Sequence, residues 1–166
     1  MKLRRTAHAA TLAVVVAALS ACGGSSEDAA TSDAVSWDAA EPCSLADDAT
    51  LAPLLTAGAG AGEGTATDSP ERRACTWGKP EALNTVTVTT TSAPEPVDPL
   101  RTIAVGGLEG RALAESKYQC ILEVTTDAGT LSIETKFGLD ATGNPDTSCD
   151  RSVPLAEHAL GRLKWA

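Results

Sequence analysis

Large side chains are scarce in this chain of 166 residues, which holds three Trp, one Tyr, one Phe and one Met. A core of stacked aromatics is excluded, so burial must come from Val, Leu, Ile and Ala. Only two histidines are present, His8 and His158, and no two cysteines stand in C-x2–4-C spacing, which argues against a zinc centre. Positive charge is short as well, with 13 Lys and Arg against 22 Asp and Glu. Nucleic-acid affinity rests on Lys and Arg neutralising phosphates, so that partner class is excluded. The apolar run Ala9–Leu19 falls short of the roughly 20 residues that a membrane-crossing helix needs.

What is present begins with an address. Lys2, Arg4 and Arg5 precede that apolar run, and together they have the form of an export signal. Leu19-Ser20-Ala21-Cys22 follows and resembles the lipobox of bacterial lipoproteins, a Leu and two small residues before a Cys. The resemblance implies a signal peptide over 1–21 and a diacylglycerol joined to the thiol of Cys22. Buried acyl chains contribute about 0.8 kcal/mol per CH2, enough for two chains to anchor stably. The implied partner is the membrane, with the protein on its extracytoplasmic face. Removing 1–21 takes three of the 13 basic residues and none of the 22 acids, leaving ten against 22, a net charge of −12.

With Cys22 assigned to lipid, Cys43, Cys75, Cys120 and Cys149 remain. An even number in an exported domain reads as two disulfides. Three connectivities are open; sequential pairing, Cys43–Cys75 and Cys120–Cys149, is preferred. Each loop would hold about 30 residues and stabilise the fold by ~3–4 kcal/mol.

The stretch from Cys22 to Ser36 is small, polar and acidic, which predicts a flexible tether. A single globular domain is expected over 37–166. In 41–55, Asp47 and Asp48 open a short helix that Pro53 limits. The Gly-rich segment 57–71 reads as loop throughout. Strands are expected at 73–79 and 85–91, the latter with Val86 and Val88 on one face and Thr on the other. Three prolines break the pattern in 92–100, and a hairpin turns at Gly106-Gly107. In 118–126, Cys120, Leu122 and Val124 point inward, with Gln119 and Glu123 outward. In 130–137, Leu131, Ile133 and Phe137 point inward, with Asp127-Ala128-Gly129 as the tight link. After a polar loop, Ser152 caps a last helix whose Val153, Ala156, Leu160 and Leu163 share a face. The fold class is α+β, an antiparallel sheet with a short N-terminal and a C-terminal helix on one face.

"EPCSL" (41–45), "CTW" (75–77), "GRA" (110–112), Cys120 and "CDRSVPLAEHALGRL" (149–163) together are similar to a family of actinobacterial lipoproteins. That family is described only as domain-of-unknown-function family 3558. The resemblance covers Trp37 to Ala166 and all four remaining cysteines. It implies anchor and disulfides and adds no active site.

Other constellations point to structure rather than chemistry. His158 reads as a boundary residue, since no G-x-S-x-G or S-x-x-K motif lends it a nucleophile. "GAGAGEGT" (58–65) has glycines but no Gly-Lys-Ser/Thr. "DATGNPD" (140–146) alternates oxygens, yet Pro145 and Arg151 stand where a calcium loop needs Gly and Glu. Catalytic residues, cofactors and metals are therefore all expected to be none. The expected function is a non-enzymatic binding or accessory module of the envelope, taking an envelope protein or a small apolar ligand. The alternatives are a hydrolase acting through paired carboxylates and a structural or immunity-type interaction protein.

Overall fold

Alternating β-branched residues pack best on a pleated, half-buried surface, and the richest such stretch, "TVTVTTT", lies in the interior of a sheet. The computed structural model describes residues 34–55, 61–138 and 149–166. Seven strands form the sheet: β1 (Thr65–Asp68), β2 (Arg72–Lys79), β3 (Asn84–Thr91), β4 (Arg101–Val105), β5 (Leu108–Ser116), β6 (Gln119–Thr126) and β7 (Gly129–Phe137). Their spatial order is β1-β2-β3-β7-β6-β5-β4, and every neighbouring pair is antiparallel. The connection 92–100 therefore runs from β3 to the far edge strand β4, past β7, β6 and β5.

One face carries the core. Cys75, Trp77, Val86, Val88, Cys120, Leu122, Val124, Leu131, Ile133 and Phe137 are all buried there, in the period-two alternation that strands impose. Helix α1 (Asp48–Leu51) and helix α2 (Val153–Leu163) cover this face. Leu155, Ala156, Ala159, Leu160 and Leu163 are the buried residues of α2. Val153, expected among them, is only half-buried.

Both disulfides tie a covering turn to the sheet. Cys43, in the 3-10 turn Pro42–Ser44, is bonded to Cys75 of β2, with 5.0 Å between Cα atoms. Cys149, in the 3-10 turn Cys149–Ser152, is bonded to Cys120 of β6, with 5.2 Å between Cα atoms. The pairing is sequential, as preferred.

The helix ends follow local chemistry, with one correction. Asp47 caps α1 as expected: its carboxylate accepts from the Thr50 N–H at 2.9 Å, and the Thr50 hydroxyl accepts from the Asp47 N–H at 3.0 Å. Ser152 does not cap α2. The 3-10 turn runs straight into the helix, so Ser152 already has helical backbone angles. Its buried hydroxyl instead meets the Thr135 hydroxyl at 3.2 Å.

Two further differences have physical causes. The strand β1 lies within the segment expected to be loop. All four of its residues are exposed, so an edge strand with no buried face left no apolar alternation to read. The packed chain also begins before Trp37. Val35 donates its N–H to the Leu163 carbonyl at 3.0 Å, and Trp165 Nε1 donates to the Val35 carbonyl at 2.6 Å. Ala34 and Val35 pack on the core beside them.

Candidate functional site

Four places on the described surface gather charged or exposed groups. The first is built by a β-bulge. On β5 both Ala112 and Ala114 oppose consecutive residues of β6, with a register shift between them. An extra residue reverses the alternation of everything beyond it. Glu115 is thereby paired with Cys120 and turned to the disulfide side of the sheet. It accepts from Arg101 Nε at 2.7 Å, from Arg101 Nη2 at 2.7 Å and from the Cys149 N–H at 2.7 Å. Arg101 Nη2 also donates to Asp150 at 2.8 Å. The Arg101 guanidinium, followed by the Cys149 N–H, holds the Glu115 carboxyl below the usual carboxylate range.

This is the one place where two described acids converge on a common group, and its chemistry is not that of an acid catalyst. A general acid needs a raised pKa and a free oxygen facing substrate. Here Arg101 bridges both carboxylates and favours the charged form of Glu115. The site is a clasp for the turn that carries Cys149. Because the folded-state pKa of Glu115 is lowered, its contribution is present above the ordinary value and is lost as pH falls through the depressed one. Urea melts across the acid range should therefore show a shallower loss of stability below about pH 4 for Glu115→Gln than for the parent chain. Equal acid limbs would show that the clasp contributes nothing.

The second cluster lies on the opposite, outer face. Glu123 points outward as expected but is buried, only 2% exposed, because the 92–100 connection covers it. One oxygen accepts from the Glu95 N–H at 3.1 Å and the other from Arg111 Nη1 at 2.9 Å. Arg111 also donates to the carbonyls of Glu95 and Val97. Burial pushes the Glu123 carboxyl above its ordinary range, against the pull of Glu95 N–H and Arg111. Alternation assigned the face correctly; the covering strap is a long-range feature that alternation does not contain.

The third place is an open cleft of about 240 Å³ between residues 35–45 and the end of α2, lined by Val35, Ala40, Leu45 and Leu163 together with Glu41 and Arg162. It is smaller than the ~300–1,000 Å³ of ordinary ligand pockets. Between sheet and helices, Leu122, Ile133, Leu155, Leu160 and Val86 are fully buried and fill the space considered for an apolar ligand. The fourth place is a rim at one end of the sheet, where Leu83 is 66% and Tyr118 is 48% exposed.

Residues singled out in the sequence are distributed among other roles. His158 lies on α2 with Nε2 3.7 Å from an Asp47 oxygen, at the helix–helix boundary. The Thr50 N–H and hydroxyl hold the Asp47 carboxyl below its ordinary range. Cys43, Cys75, Cys120 and Cys149 are all in disulfides. Cys22, residues 57–60 of the Gly-rich segment and the 140–146 loop lie outside the described residues. No group of three or more His, Cys, Asp or Glu side chains that could hold a metal ion occurs among the described residues. Likewise, none of their helices is long and apolar enough to cross a membrane.

No family model, curated protein or solved structure matches this chain.

Proposed function

We propose that the protein is an extracytoplasmic lipoprotein, held to the cell membrane through a lipid on Cys22, whose domain acts as a non-enzymatic binding or accessory module of the envelope. The supporting observation is the cysteine pairing. Four of the five cysteines are consumed in two disulfides, which leaves only Cys22, at the end of the apolar run. Stable disulfides belong to oxidising compartments, and a leftover thiol in an exported chain calls for another use. Membership of the actinobacterial family named above belongs to the same proposal.

The module engages its partner by its surface. The volume between sheet and helices is filled by side chains, and the 240 Å³ cleft is shallow and mixed in polarity. The partner on this reading is an envelope protein rather than a small apolar ligand.

Intact mass of the membrane-extracted protein tests the anchor. The expected result is a chain beginning at Cys22 that carries a diacylglyceryl group and lacks four hydrogens for two disulfides. Cys22→Ser should move the protein wholly to the soluble fraction. A membrane-derived chain starting at Cys22 with no lipid would overturn the reading.

A further inference from the structure

Leu83 is held in a conformation that its side chain disfavours, as the residue that closes the β2–β3 connection by donating its N–H to the Pro80 carbonyl at 3.0 Å. It ends the 3-10 turn Pro80–Ala82 with φ 52° and ψ 31°, in the left-handed region that glycine enters freely and leucine does not. It is also 66% exposed, so no burial offsets the strain. Strained backbone at an exposed residue is characteristic of sites that the surrounding structure holds for a function. Tyr118, also exposed, is of the residue class that most often anchors interfaces.

The surroundings supply a rim for it. Asn84, next to Leu83, pairs with Phe137 of β7, and the Phe137 N–H donates to the Tyr118 carbonyl at 2.9 Å. Leu83 and Tyr118 thus stand on either side of the end of β7, separated by two strand spacings, about 10 Å. The Lys117 ammonium lies 4.9 Å from the centre of the Tyr118 ring, and Lys79 begins the turn that presents Leu83. Among the described residues neither Lys79 nor Lys117 makes an ion pair. Glu81 shares the turn with Lys79, and Lys136 nearby is engaged by Glu134 at 3.2 Å. Two unpaired ammoniums beside two exposed apolar side chains contrast with the acidic balance of the whole chain.

Position completes the argument. The β3 strand runs from Asn84 at this rim to Thr91, and the Thr90 hydroxyl donates to the Trp37 carbonyl near the start of the described chain. Eight strand residues place the rim about 24 Å from the end where the N-terminal segment leaves the domain. It lies at the end of β3 opposite to the one that the N-terminal segment touches.

We propose that the rim of Leu83 and Tyr118, flanked by Lys79 and Lys117, docks an acidic protein partner that receives Leu83 in an apolar socket edged by carboxylates. The inference rests on the reading of the domain as a surface-binding module. It does not require the lipid. Apolar contact supplies affinity in such an interface, while the ammoniums steer the encounter and set its register.

Site-specific photocrosslinking in the full-length protein, in its own membrane, tests this. A benzophenone side chain replaces Leu83, Tyr118 or, as a control on another surface, Leu100, which is 65% exposed. Positions 83 and 118 should give one adduct of the same mass, and position 100 should give none. Changing Lys79 and Lys117 together to Glu should lower the yield at 118 about tenfold. Leu83→Gly should lower that yield as well, while raising Tm by about 4 °C through release of the strained turn. No adduct, equal adducts at all three positions, an adduct of twice the chain's own mass, or indifference to the charge change would overturn the proposal. So would a fall in Tm for Leu83→Gly. A chain found without lipid at Cys22 would end the anchored reading and leave these outcomes unaltered.

Discussion

Replacing Cys120 and Cys149 together by Ala is expected to lower stability by about 4 kcal/mol, the upper part of the range for disulfides of small exported domains. The loop closed is 29 residues, for which chain entropy alone gives ~3–4 kcal/mol. The native state adds to this, because the bridge fixes the turn on which other bonds depend. The Cys149 N–H reaches Glu115, and Asp150 shares Arg101 with it. Once the turn is free to move, those charge-assisted bonds weaken too, each worth about 1.5–3 kcal/mol at most. Chemical denaturation of the double variant measures the loss. The corresponding Cys43→Ala/Cys75→Ala pair closes 32 residues but anchors a turn whose side chains make no ion pair with the sheet, so its loss should be nearer 3 kcal/mol. Equal losses would show that the Glu115 clasp adds nothing to the bridge.

Glu123→Ala is expected to cost about 3 kcal/mol. The substitution removes a buried carboxylate that satisfies the Glu95 N–H and leaves the Arg111 guanidinium, itself 22% exposed, without its ion partner. An uncompensated charge is worse than no charge, so the double variant Glu123→Leu/Arg111→Met should recover most of the loss. The pH dependence runs opposite to that of Glu115. Since burial raises the folded-state pKa of Glu123, its favourable contribution is present below the ordinary carboxylate value and is lost as pH rises through the raised one. The double variant should therefore gain on the parent chain as pH rises from 4 to 7. Urea melts of the three proteins at both ends of that range would show it, and a double variant as unstable as Glu123→Ala would sink the account.

The parts of this fold legible in the sequence are those whose cause is local. Gly106-Gly107, with φ of 57° and 87°, makes the expected two-residue hairpin turn because only such residues adopt it readily. The inward sets of β6 and β7 follow from alternation, whereas the four cysteines pointed to two disulfides and left the pairing open, because Cys43 and Cys149 lie in turns that carry no alternation. What was illegible depends on distance along the chain or on one extra residue. Glu115 could not be assigned to the disulfide side without the bulge before it. Glu123 could not be recognised as buried without the strap that crosses three strands. Ser152 carried the signature of a helix cap, yet the preceding 3-10 turn had already made its backbone helical. Nothing in "PEALN" distinguishes Leu83 from an ordinary turn residue, since its strain lies in a dihedral angle alone.

The start of the described chain is held first by hydrogen bonds and then by a covalent bond. Val35 is held by two hydrogen bonds to the end of α2, and eight residues later Cys43 is bonded to β2. Tension entering from the N-terminus would first strip Val35 from Leu163 and Trp165. It would then have to free the Trp37 carbonyl from Thr90 and the Asp38 carbonyl from Arg73, and would stop before Cys43, because the disulfide carries the load into β2. A pull on the first described residues would thus cost the domain a flap and spare the strands and α2. Under reducing conditions that stop disappears, and the same pull would reach α1.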